Sequence, residues 1–241
     1  DLPHLPPDSS YLPESELFGD IDLKMIDNRG DDIYGKGYLL YTPTVDNKDK
    51  KVPLIVWLHG SFGTYNANTS NLKNTNFMVK LQNWNLEGFN AYVLCPVSNG
   101  EWDDKANKNE VTLKPLIDHI VKQYNIDERK IILAGHSMGG EGVLYMAHHY
   151  PNYFSKLVVM SSLAPADEVD LGRIKHISSR GYTEANNGSV TRYMTENFAS
   201  VFSSSNVFVF QCSHATMPQY AFDDDKNGDG RSDLIEWMLT G

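Results

Sequence analysis

The 241 residues carry 31 acidic against 21 basic side chains, a formal net charge of −10 with histidine neutral, and no basic run interrupts that excess. Such a balance excludes nucleic acid or an anionic membrane as the principal partner. No apolar stretch approaches the roughly 20 residues that span a bilayer, and Cys95 and Cys212 alone do not make a disulfide framework.

Residues 1–16 hold Pro3, Pro6, Pro7 and Pro13 and read as an extended arm, with structure starting near Leu17. Residues 17–241 suit a single α/β domain with a sizeable core. Over 17–26 and 34–41, apolar and polar residues alternate around Asn28, Arg29, Gly30 and Asp31, which predicts two antiparallel strands joined by a turn. The runs 52–58, 91–94, 131–134, 157–160 and 207–210 are continuously apolar, as strands covered on both faces are. Helical patterns fall between and after them, at 77–87, 113–124, 138–149, 190–202 and 234–239. This alternation predicts a mostly parallel sheet of about eight strands with helices on both faces. Both cysteines fall in or beside β-like runs and are expected as buried free thiols. Asn68 and Asn187 sit in N-x-S/T sequons, a pattern frequent by chance. The chain opens at Asp1 rather than Met, so the compartment stays open, with a secreted or cell-surface location favoured.

Chemistry gathers first at Gly135-His136-Ser137-Met138-Gly139, directly after the apolar run ending at Ala134. G-x-S-x-G between strand and helix is the spacing of a nucleophile elbow, in which a tight turn exposes the serine. His136 alternates away from Ser137. A serine hydroxyl needs a base, and His214 follows the last strong strand in Gln211-Cys212-Ser213-His214-Ala215. His119, His148 and His149 lie on predicted helices. The base needs an acid between Met160 and Val207 in chain order; Glu184 closes the one strand-to-loop transition that fits, and Asp167 and Asp170 are the rivals. Leu58-His59-Gly60-Ser61-Phe62-Gly63 follows the first parallel strand and offers the Ser61 amide, with the Met138 amide at a helix N-terminus, as oxyanion donors.

Leu58-His59-Gly60, Gly135-His136-Ser137-Met138-Gly139-Gly140 and Ser213-His214, in this order on alternating strands, resemble the α/β-hydrolase superfamily over 17–241. Within it the chain is similar to compact feruloyl esterases, acetyl-xylan esterases and polyhydroxybutyrate-depolymerase-like proteins. The resemblance implies the α/β-hydrolase fold and an acyl-enzyme on Ser137, with His214 moving the proton and water releasing the acid. The family's usual acid is Asp, so Glu184 departs from it.

Phe62, Tyr65, Trp102, Leu163 and Met217 lie on loops after strands or beside the catalytic residues and are candidate pocket walls. Beyond them, Asp225, Asn227, Asp229, Arg231, Asp233 and Glu236 have the oxygen-ligand spacing of a calcium loop, with Gly230 at its sharp turn. Ser232 or Asp233 with Glu236 also reads as plain N-capping of the last helix after a turn. No cofactor is required for catalysis in either case, and calcium would be structural. The expected activity is hydrolysis of small or medium acyl or aryl esters, free or linked to plant polysaccharide. A peptidase or thioesterase on the same fold and a non-catalytic binding module are the alternatives.

Overall fold

A computed structural model describes residues 11–12, 24–27, 37–43, 49–61, 77, 80–81, 91–98, 100–103 and 109–241. The strands among them are β1 (Tyr11–Leu12), β2 (Lys24–Asp27), β3 (Tyr38–Thr42), β4 (Val52–Leu58), β5 (Tyr92–Pro96), β6 (Ile126–His136), β7 (Lys156–Met160), β8 (Ser178–Glu184) and β9 (Val207–Phe210). They form one sheet in the order β1-β2-β3-β5-β4-β6-β7-β8-β9. The first three strands are antiparallel to their neighbours, and every pair from β5 to β9 is parallel.

About eight strands were expected, and the sheet has nine among the described residues. The additional one is β1, inside the proline-rich arm, so ordered structure begins before Leu17. Tyr11 and Leu12 stand between Pro7 and Pro13, and a two-residue edge strand tolerates flanking prolines that a central strand would not.

Apolar strands need cover on both faces, and β4 divides its side chains between two cores. Leu54, Val56 and Leu58 face α1 (Asn109–Gln123) and α2 (Met138–His149), whereas Ile55 and Trp57 face α3 (Met217–Asp223) and α4 (Asp233–Leu239). Pro53 lacks the N–H a central strand donates, and the register with β6 shifts between Val52 and Leu54 to absorb it. The helical segment expected at 190–202 runs through Gly188–Arg192, a π-helical turn at Tyr193–Phe198 and Ala199–Phe202. Most of the helix expected at 77–87 lies outside the described residues. At the far edge, β9 is half-buried, with Val209 exposed, because no further strand covers it. Among the described residues no helix is long and apolar enough to cross a membrane.

The chain passes from β4 to β5 on one side and then to β6 on the other. That reversal opens a crevice at the carboxyl ends of β4 and β6, where side chains from separate strands converge.

Candidate active site

At the end of β6 the backbone turns abruptly into α2, and contact explains the two glycines of the turn. A Cβ on Gly135 would run into the Gly139 carbonyl, and one on Gly139 into the Leu58 carbonyl of the adjacent strand. Ser137 between them adopts φ 58°, ψ −121°, a sparsely populated conformation that costs about 1–3 kcal/mol. Its N–H donates to the Met160 carbonyl at 2.8 Å, and its own carbonyl accepts from Gly140 and Glu141 at 2.8 and 3.1 Å.

His214 lies in the turn between β9 and α3, and its Nε2 is 2.9 Å from Ser137 Oγ. On the other side of the ring, Nδ1 is 2.6 Å from Glu184 Oε1. A carboxylate at Nδ1 selects the tautomer with its proton there, leaving the Nε2 lone pair for the serine hydroxyl. The carboxylate that meets His214 is therefore Glu184. Asp170 instead accepts from the Gly172 amide and caps a 3-10 turn, and Asp167 lies on the same loop.

Glu184 is the last residue of β8, with a side chain only 3% exposed. Its oxygens accept from Ser161 Oγ and Asn187 Nδ2 as well as from His214. Burial pushes its pKa up, but the hydrogen bonds from His214, Ser161 and Asn187 outweigh that and hold it down at about 2. The charged carboxylate is thereby secured at any working pH. Ser161 carried no sequence signal, and the sequon at Asn187 did not point to this contact.

His136 does not stand clear of the site. Its ring lies 4.8 Å from that of His214, and its buried Nε2 has no partner among the described residues. Burial, with the neighbouring His214, pushes its pKa down to about 3, so the ring is neutral. His59 is also buried. Its Nε2 accepts from the Ser98 amide at 3.0 Å, which places the proton on Nδ1, 2.7 Å from the Gly60 carbonyl. This fixes the His59-Gly60 turn beside the elbow, where a Cβ on Gly60 would stand 3.6 Å from Ser137 Cβ. Ser61 follows Gly60 and is exposed, and Met138 opens α2 directly after Ser137.

The expected pocket walls divide. Leu163 is 40% exposed on the loop after β7. Trp102 and Met217 are fully buried, which corrects their expected place on the pocket surface. Trp102 donates from Nε1 to the His59 carbonyl at 2.9 Å, and Met217 packs in the α3 core against Cys212. Phe62 and Tyr65 lie outside the described residues. The Leu163 loop is tied down by Asp103, which accepts from the Ala166 amide. Burial, then Asp103, raises Glu141 to about 7. Of the thiols, Cys95 is buried and Cys212 half-buried, and neither is in a disulfide.

In the 225–236 loop the Asp225 carboxylate accepts from the Asp229 and Gly230 amides at 3.2 and 2.8 Å. Asp229 accepts from Arg231, Asp233 from Lys226, and Ser232 Oγ caps α4 through the Ile235 amide at 3.2 Å. Asn227 and Glu236 border a shallow cleft with Arg180 and Trp237. Among the described residues no group of three or more His, Cys, Asp or Glu is placed to hold a metal ion.

No curated protein matches the chain. Solved structures do. A thermostable esterase is 21% identical with a TM-score of 0.67, covering 92% of this chain, which spans 63% of that one. FphF, a fluorophosphonate-binding serine hydrolase of Staphylococcus aureus, is 12% identical with a TM-score of 0.64, covering 91% of this chain and 99% of its own. A mutant feruloyl esterase module from Clostridium thermocellum, complexed with sinapinate, is 13% identical with a TM-score of 0.62, covering 87% and 92%. At these identities the likeness establishes the α/β-hydrolase fold. Family membership comes from the sequence itself: residues 37–208 match the model described as "Putative esterase", and the chain belongs to that esterase family.

Proposed function

We propose that the protein hydrolyses carboxylic esters through an acyl-enzyme on Ser137. The observation that carries this reading is the unbroken path from Ser137 Oγ through His214 to Glu184, with contacts of 2.9 and 2.6 Å, on a strained elbow. In the acylation step Ser137 Oγ attacks the ester carbonyl carbon while His214 Nε2 takes its proton. The amides of Ser61 and Met138 hold the oxyanion, where the N-terminus of α2 favours negative charge. The tetrahedral adduct expels the alkoxide, which takes the proton from His214. Water then loses a proton to Nε2 and attacks the acyl carbon, and Ser137 leaves with that proton as the acid is released. Glu184 stays ionised and steadies the imidazolium in both halves.

Small or medium acyl or aryl esters, free or linked to polysaccharide, fit a family of esterases whose structural neighbours include a feruloyl esterase module bound to sinapinate. A panel of nitrophenyl acetate, butyrate and octanoate with methyl ferulate, and with an anilide and a thioester as controls, tests the reading. Ester turnover that disappears in Ser137→Ala supports it. Equal rates in the two proteins contradict it. The ligand spacing of 225–236 is the sole support for a structural calcium ion. Added calcium must raise the melting temperature of chelator-treated protein if the ion is bound, and an unchanged temperature dismisses it.

A further inference from the structure

Three residues other than glycine have positive φ among the described residues, and two of them, Ser137 and Ser161, belong to this site. Ser161 follows β7 with φ 50°, held there by its N–H donating to the Tyr182 carbonyl at 2.7 Å. It is buried, and its hydroxyl donates to Glu184 Oε2. A strained backbone persists only where its surroundings enforce it, and here it aims one hydroxyl at one carboxylate oxygen. Asn187 acts on the other oxygen. Its Nδ2 donates to Oε1, which also receives His214 Nδ1–H, so the two nitrogens stand 3.4 Å apart around a common acceptor. Asn187 is fixed in turn. Its amide donates to Thr191 Oγ1 at 2.9 Å, and that hydroxyl donates to the Glu184 carbonyl at 2.8 Å.

A glutamate has one more rotatable bond than an aspartate, so a carboxylate at the end of a strand swings unless both oxygens are held. We propose that Ser161 and Asn187 are positioning residues that clamp Glu184, leaving Oε1 as its one face toward His214 and so allowing a glutamate to orient the base. This rests on the serine-hydrolase reading above. Neither residue meets the substrate; both act through Glu184. Each donor also draws charge from the carboxylate, so removing one concentrates negative charge beside His214.

The test compares full-length parent, Ser161→Gly and Asn187→Ala with nitrophenyl acetate as substrate. Glycine takes φ 50° without strain, so Ser161→Gly is expected to melt within about 3 °C of the parent while losing the hydroxyl. Its kcat is expected to fall about 10–100-fold with KM within about threefold, as for a misplaced catalytic group. The acid limb of kcat moves to higher pH in both variants, which a purely structural role would not produce. In a Glu184→Ala background Ser161→Gly adds no further loss. Parent-like kcat with an unmoved acid limb overturns the clamp, as does a loss that persists undiminished without Glu184. Should Ser137→Ala turn over like the parent, the hydrolase reading and the clamp fail together.

Discussion

Gly139 is confined by the Leu58 and His59 carbonyls, where α2 approaches the end of β4. Gly139→Ala is expected to cost about 3 kcal/mol, because the atoms its Cβ would meet are Leu58 and His59 backbone, with nothing flexible to yield; thermal or urea unfolding measures it. Glu184 invites a subtler substitution. Glu184→Gln keeps the shape but loses the charge that steadies the imidazolium, and kcat should drop about 10³–10⁴-fold. Glu184→Asp keeps the charge and withdraws it by one methylene from the end of β8, so about a 100-fold loss is expected. Steady-state kinetics separates the two, and an aspartate variant as active as the parent would contradict the need for the longer side chain. Chain order in the sequence singled out Ser137 and His214 as candidates but left Asp167 and Asp170 beside Glu184, and only the fold brings one of the three carboxylates to His214. Chain order could not expose Ser161 and Asn187, because their relation to Glu184 arises only when the end of β7 and the turn after β8 meet in space. Nor did alternation along β6 reveal that the His136 ring would settle beside His214, since that depends on where the loop after β9 falls.

Elements differ in how much their own residues disclose. The central strands are legible because a run such as Leu54 to Leu58 must be buried on both faces, and the sheet order follows from parallel crossovers. β8 is less plain, since Ser178, Ser179, Arg180 and Thr183 break any apolar run; it reads as a strand from its place before Glu184, and it pairs with β7 and β9. β1 was hidden by the prolines around it. The last helix, α4, was expected, and so was its cap: Ser232 Oγ accepts from the Ile235 amide in a fully buried position. Ser232→Ala should therefore destabilise the protein by about 1 kcal/mol, seen as a lower urea midpoint with an unchanged m-value. An unchanged midpoint would mean that the cap contributes nothing beyond solvent.

Across the whole molecule, buried titratable groups around the site tie stability to pH. His136 is pushed from 6.5 to about 3, so the folded state resists the proton that the unfolded chain accepts. Its contribution is complete above 6.5 and is lost as pH falls toward 3. Glu184, lowered from 4.5 to about 2, adds to the same acid-side loss below 4.5. Glu141 has the opposite sign. Raised from 4.5 to about 7, it contributes most below 4.5 and loses that contribution as pH rises through 7. Between pH 4.5 and 6.5 the His136 and Glu141 slopes oppose each other, so thermal melts should fall away chiefly below 4.5, and Glu141→Gln should remove the loss that sets in between 4.5 and 7, by an amount on the order of 1 kcal/mol after solvent screening. A variant curve parallel to the parent's across pH 5–8 would contradict that assignment.

The central claim is that one hydroxyl, Ser137 Oγ, becomes the acyl carrier under His214. Labelling with a fluorophosphonate, followed by intact-mass measurement and peptide mapping, addresses it most directly. One adduct per chain is expected, on the peptide containing Ser137, absent in Ser137→Ala and strongly slowed in His214→Ala. Labelling at another residue, or at an unchanged rate without His214, would contradict it.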